Sequence, residues 1–374
     1  MTRGTTTVLA GVEQTRVEEY ELPRPGAGDL LVEMVRANIC GSELHIWRGH
    51  HPQVKVGCVL GHEGLGRVVA LGEGVTHDFA GDPLHEGDRV VATYYQVCRR
   101  CPECQNGDWN LCRNAYQFWS TPAATAPHFH GTFGSHYYIH RDQYVYRVPD
   151  EVSDRSAASA NCATSQMVYS VHASGLRAGE TVLVIGAGGL GLCASAVASA
   201  MDARALVADV NPQRLGIAER FGADTLLDLS RTRSIEERIE AVRALCSGRL
   251  PDVVIDVTGT PSCFSDGARL TRPGGRFVSV GNISPGRTCE FDPGLFTRSG
   301  VTIVAAIRYH PFFLGRALRF VASHPQFPWE TLLDADYPMG SVDLALRDSA
   351  ERVVTRASLV AAVPAAAGAA QGGR

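Results

Sequence analysis

The sequence has no apolar run close to the ~18 residues that a membrane-spanning helix needs. It also has no excess of positive charge, because 35 basic and 39 acidic residues give a net charge of −4, which argues against nucleic acid as the main partner. The first residues, MTRGTTTVLAGVEQ, lack the long apolar region of a secretory signal peptide. No internal repeat is visible. These absences predict a cytoplasmic protein that binds neither membranes nor nucleic acid.

The chain does have eleven cysteines, which is many for a protein expected in a reducing compartment. In such a compartment cysteines serve as metal ligands or as buried apolar residues more often than as disulfides. With 374 residues, of which 45% are hydrophobic and 20% charged, the chain is long enough for two domains of ordinary size.

The two halves of the chain differ in pattern. Residues 8–150 contain short apolar runs divided by proline and glycine, which is typical of strands. From about residue 160 the runs TVLVI, ARALVADV, PDVVIDVTG, GGRFVSVG and SGVTIVAAIRYH alternate with helical segments, among them NPQRLGIAERFGA with Asn211 at the N-cap. Alternating strands and helices predict a parallel, doubly wound sheet. The ends, MTRGTTT and AAVPAAAGAAQGGR, have little to bury, and we predict that they are disordered.

A glycine turn follows the first of these strands. Gly186, Gly188 and Gly191 form G-x-G-x-x-G before a helix, and Asp209 ends the next strand. Glycines let the backbone approach a pyrophosphate, while the helix N-terminus supplies N–H donors. A carboxylate at the strand end accepts from ribose hydroxyls and repels a 2′-phosphate, so NAD is favoured over NADP, although Arg214 could reach such a phosphate. The other interpretation is a tight turn in an ordinary α/β sheet.

Four cysteines lie close together in CRRCPECQNGDWNLC, with the spacing C-x2-C-x2-C-x7-C. Four thiolates so close suit tetrahedral zinc. An iron–sulfur cluster is the competing interpretation, but the seven-residue gap and the missing Cys-Pro ending weigh against it. Because four thiolates leave no open position, this zinc site is predicted to be structural. Its ligands would be Cys98, Cys101, Cys104 and Cys112.

A catalytic zinc needs about three protein ligands and an open position. Cys40 in NICGSELH, His62 in GHEG and Cys162 in NCATSQ are candidates, and together they would form a soft, zinc-selective set. Spacing alone does not join Cys162 to the other two.

The chain resembles the zinc-dependent medium-chain alcohol dehydrogenases over about residues 8–360. The signs are CGSELH, GHEGLGRVVALGEGV, the four-cysteine lobe, GAGGLG and the strand-end Asp209, in family order and at family spacing. The resemblance implies a GroES-like, mostly β catalytic domain, expected at residues 1–162 and 306–374, and a Rossmann domain at 163–305. It also implies two zinc ions per subunit, NAD, and an active site between the domains.

Site roles are carried over by the same resemblance. Cys40, His62 and Cys162 would ligate the catalytic zinc, with Glu63 as a nearby carboxylate that sometimes exchanges with water. Glu43 stands where the family usually has aspartate and would accept a hydrogen bond from His62. Ser42 and His45 would carry the alcohol proton to solvent; a merely packed His45 is the other possibility. The residues expected at the cofactor are Gly186, Gly188, Gly189, Leu190, Gly191, Asp209, Arg214 and Gly281.

The expected reaction is the reversible oxidation of a primary or secondary alcohol to an aldehyde or ketone. The segment NAYQFWSTPAATAPHFHGTFGSHYYIH is rich in aromatic side chains, which either cover the β core or a subunit contact, or line an apolar cleft. The second interpretation favours a medium-sized apolar or cyclic alcohol. The aromatic residues concerned are Trp47, Tyr116, Phe118, Trp119, Phe129 and Phe133.

Three alternatives stay open. A polyol or sugar dehydrogenase shares the family, although many of these use a carboxylate where Cys162 stands. A zinc-free enoyl or quinone reductase shares the fold but lacks the Cys and His ligands. A non-catalytic NAD-binding protein could keep only the four-cysteine lobe. The apolar strand within residues 299–310 would be an aggregation hazard if left unpaired, so a homodimer or homotetramer is expected.

Overall fold

The computed structural model describes residues 2–51, 54–281 and 285–361. In these ranges the chain forms fifteen strands and eleven α-helices. None of the described helices combines the length and the apolar content that a membrane crossing requires. The strands of the N-terminal half are β1 (Arg3–Gly11), β2 (Gln14–Glu21), β3 (Leu30–Asn38), β4 (Glu63–Leu71), β5 (Arg89–Ala92), β6 (His136–Ile139) and β7 (Val145–Arg147).

The C-terminal half contains a six-stranded parallel sheet, and this confirms the predicted doubly wound fold. Its strands are β8 (Thr181–Ile185), β9 (Arg204–Asp209), β10 (Thr225–Asp228), β11 (Val253–Asp256), β12 (Arg276–Ser279) and β13 (Thr302–Ala305). Their order is β10-β9-β8-β11-β12-β13, and every neighbouring pair is parallel. Central β11 is buried along its whole length, as expected where both faces of a parallel sheet are covered.

The α-helices are divided between the two halves. They are α1 (Gly41–Trp47), α2 (Pro102–Gln105), α3 (Asp154–Ala157), α4 (Ser165–Ala173), α5 (Gly189–Ala200), α6 (Pro212–Ala218), α7 (Ile235–Leu245), α8 (Pro261–Arg269), α9 (Pro293–Ser299), α10 (Phe312–Ser323) and α11 (Val342–Ala350). Helices α5, α6, α7 and α8 contact strands of the parallel sheet, whereas α11 contacts the last two strands of the chain. The predicted N-cap of α6 is confirmed, because the Asn211 side chain accepts from the Gln213 backbone N–H.

The last two strands return to the first half of the chain. β14 (Ala335–Pro338) and β15 (Ala357–Val360) join a seven-stranded sheet in the order β14-β15-β3-β4-β5-β7, with β6 also paired to β3. The pairing of β15 with β3 is antiparallel. This return brings residues near 356 to the strand that precedes Cys40, a proximity that nothing in the local sequence indicates.

The predicted disorder of MTRGTTT is wrong for Arg3–Thr7, which form part of a strand, while Met1 lies outside the described residues. β1 begins at Arg3 and pairs antiparallel with β2 over its whole length. Thr7 also donates its backbone N–H to Phe133 O at 2.7 Å, and Ser135 donates to Thr5 O at 2.9 Å. The segment has little apolar area, but threonine is β-branched and suits a strand, and backbone hydrogen bonds on both edges fix it. The predicted disordered C-terminal tail lies outside the described residues from position 362 onwards.

The turn between β8 and α5 needs glycine at two positions for different reasons. Gly186 has a backbone φ of +108°, which other residues rarely adopt. A Cβ on Gly191 would lie 1.7 Å from the Gly186 carbonyl oxygen, so helix and turn are in backbone contact there. At Gly188 a Cβ would meet nothing within 4 Å, and its φ of −79° suits any residue.

We therefore expect Gly191→Ala to destabilise the fold and Gly188→Ala to leave it nearly unchanged. The first change forces two backbone segments apart, at a cost on the order of 3 kcal/mol. The second changes the N-cap of α5 and should cost less than about 1 kcal/mol. Thermal unfolding of the two variants beside wild type measures the difference. Equal midpoints for both variants would contradict the close contact at Gly191.

Candidate functional site

Four cysteine thiols form a compact cluster in the loop around α2. The sulfur atoms of Cys98, Cys101, Cys104 and Cys112 all lie within 4.8 Å of one another, and none of them is in a disulfide. Cys101 is the N-cap of α2, and the Cys101 and Cys112 sulfurs are 3.9 Å apart. Burial opposes ionisation of Cys98, but the backbone N–H groups of Arg100 and Cys101 lower its pKa to about 6. The geometry suits a closed, tetrahedral zinc site.

The second cluster joins three distant parts of the sequence. Ligand-type atoms of Cys40, His62, Glu63 and Cys162 all lie within 4.8 Å of one another. Cys40 is the N-cap residue of α1, and its sulfur accepts from the Ser42 N–H at 3.3 Å. Cys162 lies on a π-helical turn at Ala160–Thr164, a distortion that often occurs at functional sites. Two thiols and an imidazole in one place are a donor set that zinc prefers.

The surroundings of the Cys40 thiol favour its ionised form. Its pKa is well below the ordinary value, chiefly because Cys162 donates a hydrogen bond to it, although burial opposes this. The Cys40 sulfur is also 3.3 Å from His62 Nε2. Since thiolate, and not thiol, is the metal ligand, this environment favours metal binding.

His62 is oriented from behind by a carboxylate. Its Nδ1 is 2.5 Å from Glu43 Oε1, and both side chains are buried. A hydrogen bond from Nδ1 leaves the Nε2 lone pair directed at the sulfur atoms. The additional methylene of glutamate, compared with the aspartate usual in the family, therefore still permits the contact that the sequence led us to expect.

A buried ion pair lies beside this cluster, and sequence reasoning missed one of its members. Arg356 Nη2 contacts Glu63 Oε2, and the two residues are 8% and 0% exposed. Asn38 also donates to Glu63 Oε2, at 3.3 Å. Burial nevertheless raises the pKa of Glu63, with Arg356 opposing that rise. The only sequence signal for Arg356 was its position one residue before an apolar strand, which does not indicate burial.

Arg356 also borders the glycine turn. A Cβ on Gly189 would lie 2.8 Å from Arg356 Nη1. Gly189 is the first residue of α5, where unpaired N–H groups and the helix dipole favour an anion. A buried guanidinium and a helix N-terminus thus face the same space, and together they suit a phosphate group.

Asp209 supports the turn from the adjacent strand. Its two carboxylate oxygens accept from the backbone N–H groups of Ala187, at 2.6 Å, and Asn211, at 2.8 Å. A carboxylate has further lone pairs and could still accept from a ribose. Arg214 is half-buried in the first turn of α6. Gly281 packs against Gly259, and a Cβ built on Gly281 would lie 2.3 Å from the Gly259 backbone nitrogen.

Ser42 and His45 lie three residues apart on α1 and therefore on one face of the helix. Both are half-buried. Burial lowers the pKa of His45, and nearby His50, Arg287 and Arg48 lower it further. In the described part of the chain no hydrogen bond joins Ser42 to His45.

The aromatic residues divide between the core and the metal cluster. Phe129 and Phe133 are fully buried in the β half, where they fill the core as the first interpretation expected. Trp119 instead lies against His62, with ring centroids 5.4 Å apart. Tyr94, which the sequence did not single out, flanks His62 on another side at 5.2 Å. Of the others, Trp47 is buried, whereas Tyr116 and Phe118 are half-buried.

Two family models match the chain. An alcohol dehydrogenase GroES-like domain matches residues 26–150, and a zinc-binding dehydrogenase domain matches residues 189–323.

Named relatives agree with these matches. The chain is 31% identical to 5-exo-hydroxycamphor dehydrogenase of Pseudomonas putida, over 90% of this chain and 93% of that protein. It is 34% identical to sorbitol dehydrogenase of Ovis aries, over 73% and 74%. An alcohol dehydrogenase structure from Thermotoga maritima superposes with a TM-score of 0.89 at 27% identity and covers 96% of this chain and all of that one.

The buried ion pair yields a stability prediction. Arg356→Met should lower the free energy of unfolding by about 3–5 kcal/mol, because it leaves the Glu63 carboxylate buried without its cation. Adding Glu63→Gln should recover part of that loss, since no charge then remains buried. Denaturant unfolding measures both values.

The control is an exposed ion pair. Arg269 contacts Glu236 at 2.9 Å, and the two side chains are 31% and 69% exposed. Arg269→Met should therefore lower the free energy of unfolding by no more than about 1 kcal/mol. If Arg356→Met is no worse than Arg269→Met, the pair near the metal cluster does not stabilise the fold.

Proposed function

The chain belongs to the zinc-dependent medium-chain alcohol dehydrogenases, and we propose that its active site is the cluster of Cys40, His62 and Cys162. The supporting observation is that ligand atoms from three distant segments lie within 4.8 Å of one another. The proposed reaction is the reversible oxidation of a primary or secondary alcohol with NAD. A non-catalytic zinc protein would have no reason to keep these donors together.

We propose two zinc ions per subunit, one at each cluster. Zinc held by Cys40, His62 and Cys162 would supply the Lewis acidity that favours an alkoxide, and NAD would accept the hydride. Glu43 orients His62, while Trp119 and Tyr94 exclude water beside it. Glu63 is paired with Arg356, so a movement of Glu63 toward a metal at the cluster would require breaking that pair. The four-thiol site would be structural.

NAD is the proposed cofactor, bound at Gly186–Gly191 with its pyrophosphate at the N-terminus of α5 and near Arg356. The carboxylate of Asp209 faces the end of the turn and would repel a 2′-phosphate. Val210 directly follows Asp209 in the sequence. It is 65% exposed and offers an apolar surface for an adenine ring. Arg214 lies on the following helix and is the residue that would favour NADP instead.

The proposed proton path runs from the Ser42 hydroxyl to His45 and then to solvent. Both residues lie on the face of α1 that begins at Cys40, so the serine is adjacent to the ligand cluster. Because the pKa of His45 is lowered, its imidazole would be neutral at neutral pH. A neutral imidazole can accept the proton.

We favour a medium-sized apolar or cyclic alcohol as substrate. Aromatic rings beside His62 support it, and so does the similarity to a 5-exo-hydroxycamphor dehydrogenase. A polyol is the second candidate, supported by the similarity to a sorbitol dehydrogenase. We also propose a cytoplasmic location, since all eleven cysteines are free and two clusters of thiols need reducing conditions to hold metal.

We further propose that the two domains divide as the sequence suggested, at 1–162 with 306–374 and at 163–305. The parallel sheet is formed by strands between residues 181 and 305, and β15 pairs with β3 of the first domain. Both observations support these boundaries.

The function is tested by zinc content and alcohol-dependent NAD reduction. Wild type should hold about two zincs per chain, oxidise cyclohexanol or benzyl alcohol better than sorbitol, and prefer NAD to NADP. Cys40→Ser should lose one zinc and the activity while staying folded. Cys101→Ser should lower stability, because a closed zinc site contributes folding free energy.

Cys289→Ser is the matched control, since Cys289 is exposed and belongs to neither cluster. Cys289→Ser should leave the zinc content, the activity and the stability unchanged. Full activity in Cys40→Ser would refute the catalytic site, and a better rate with sorbitol would favour the polyol candidate.

The proton path predicts a pH profile. Wild-type oxidation should slow as pH falls through the His45 pKa, which lies below the ordinary 6.5, because a protonated imidazole cannot accept. His45→Ala should lower the rate by roughly 10²-fold or less and lose this acidic limb. Added imidazole should partly restore the rate of His45→Ala, whereas it should not restore the rate of Ser42→Ala. A His45→Ala variant that matches wild type at every pH would show that His45 only packs.

We also propose a homodimer or a dimer of dimers. β13 is an edge strand of the parallel sheet, and its Ile303 is 37% exposed. Ile307 and Phe312 follow it with 47% and 42% exposed, so an apolar edge faces solvent in a single chain. Light scattering at micromolar concentration should give a mass of at least twice the chain mass. Ile303→Lys should lower that mass, and a monomeric wild type would disprove the proposal.

A further inference from the structure

Asn161 directly precedes Cys162 in the sequence, on the π-helical turn of Ala160–Thr164. It is 3% exposed. Its Nδ2 donates one hydrogen bond to His62 O and another to Ala92 O, both at 3.0 Å. A single buried amide therefore binds the backbone of one proposed zinc ligand, His62, from the residue next to a second ligand, Cys162.

The partners of this amide fix its orientation. A carbonyl oxygen only accepts hydrogen bonds, so the amide nitrogen with its two N–H groups must face His62 O and Ala92 O. The amide oxygen of Asn161 is buried and has no hydrogen-bond partner among the described residues. Because a buried acceptor without a partner is unfavourable, an apolar side chain would suit this position better if it only had to fill space. The two donated hydrogen bonds are therefore what asparagine supplies here.

The two carbonyl groups belong to strands that separate at this point. The antiparallel pairing of β4 with β5 reaches Gly66 and Val90. His62 immediately precedes β4, and Ala92 ends β5, so both lie beyond the paired residues. The Asn161 amide joins the two strands where their own pairing has ended, and it ties the π-helical turn to both of them.

The backbone of Asn161 is held as well. The Tyr309 hydroxyl donates to Asn161 O at 2.5 Å, and Tyr309 is fully buried. The Tyr95 hydroxyl in turn donates to Tyr309 O. Because contacts fix both the side chain and the backbone of Asn161, the adjacent Cys162 has a defined place relative to His62.

We propose that Asn161 is a positioning residue for the catalytic metal, because its amide holds the His62 backbone against the turn that carries Cys162 and so assembles the two ligands before the metal binds. The inference rests on the proposed function, which takes Cys40, His62 and Cys162 as zinc ligands. Glu43 orients the imidazole ring of His62, whereas Asn161 fixes the main chain of the same residue. Contacts of this kind tune metal affinity although they do not touch the metal.

The test measures zinc binding by competition with the chelator dipicolinate in wild type and in Asn161→Leu. Leucine has a similar size and removes both hydrogen bonds. Cys40→Ser, titrated in parallel, reports the four-cysteine site alone, so the difference gives the affinity of the catalytic cluster. We expect Asn161→Leu to weaken zinc binding at that cluster by about 10–100-fold, as the loss of a partner that orients a metal ligand usually does. The four-cysteine site should bind zinc as in wild type.

Cobalt(II) in place of zinc gives a second measurement. Its visible spectrum reports the geometry of the ligands around the metal. The spectrum should change in Asn161→Leu even at saturating cobalt, because His62 and Cys162 would no longer be held together. A contribution of Asn161 to overall stability alone would leave the spectrum of the folded protein unchanged.

Tyr309→Phe is a milder variant, because it removes only the hydroxyl that donates to Asn161 O. It should weaken zinc binding at the cluster by about fivefold, the worth of one ordinary hydrogen bond. This variant keeps the inference testable if Asn161→Leu does not fold.

Gln143→Met is the matched control. Gln143 is also 3% exposed, and its amide nitrogen donates to Thr93 O at 2.5 Å and to the Tyr137 hydroxyl at 2.6 Å. Neither of these partners is a proposed metal ligand. Gln143→Met should therefore lower the thermal unfolding midpoint and leave both the zinc affinity and the cobalt spectrum unchanged.

Three outcomes would overturn the inference. They are a folded Asn161→Leu that binds zinc as tightly as wild type, an equal loss of zinc affinity in Asn161→Leu and Gln143→Met, and, if Asn161→Leu does not fold, unchanged zinc binding in Tyr309→Phe. Failure of the proposed function looks different, because wild type would then titrate like Cys40→Ser, with no zinc at the catalytic cluster.

Discussion

The site depends on one buried contact, the ion pair between Glu63 and Arg356. Two opposite charges that are almost completely buried tolerate each other only in close contact, so neither side chain can move alone. Glu63 begins β4 next to the ligand His62, whereas Arg356 precedes β15 near the end of the chain. The pair therefore fixes the last strand of the fold against the metal cluster.

The same guanidinium reaches the second half of the molecule. Its Nη1 fits beside Gly189, the first residue of the helix after the glycine turn, where any side chain would clash with it. Arg356 thus touches both the carboxylate at the metal cluster and the proposed pyrophosphate site. An anion bound there would draw on the charge that balances Glu63, so the two halves of the site are electrostatically coupled.

The aromatic rings around His62 lower the local dielectric constant. The electrostatic interactions between these charged groups are therefore stronger than they would be in water. Trp119 and Tyr94 lie against the His62 ring, and Tyr116 extends the aromatic surface from Trp119, with ring centroids 5.7 Å apart.

The sequence by itself determined the fold class, the glycine turn and the four-cysteine lobe, because each is written in residues close along the chain with a fixed physical requirement. It was misleading at the N-terminus, where threonines with little apolar content still form β1 through hydrogen bonds to residues more than 120 positions away. Residue spacing did not join Cys162 to Cys40 and His62, which only the family resemblance implied, and only the tertiary structure brought Arg356 to Glu63. Such contacts depend on how strands return to a sheet, and charge and hydropathy patterns do not encode burial of an arginine that finds its partner about 300 residues away.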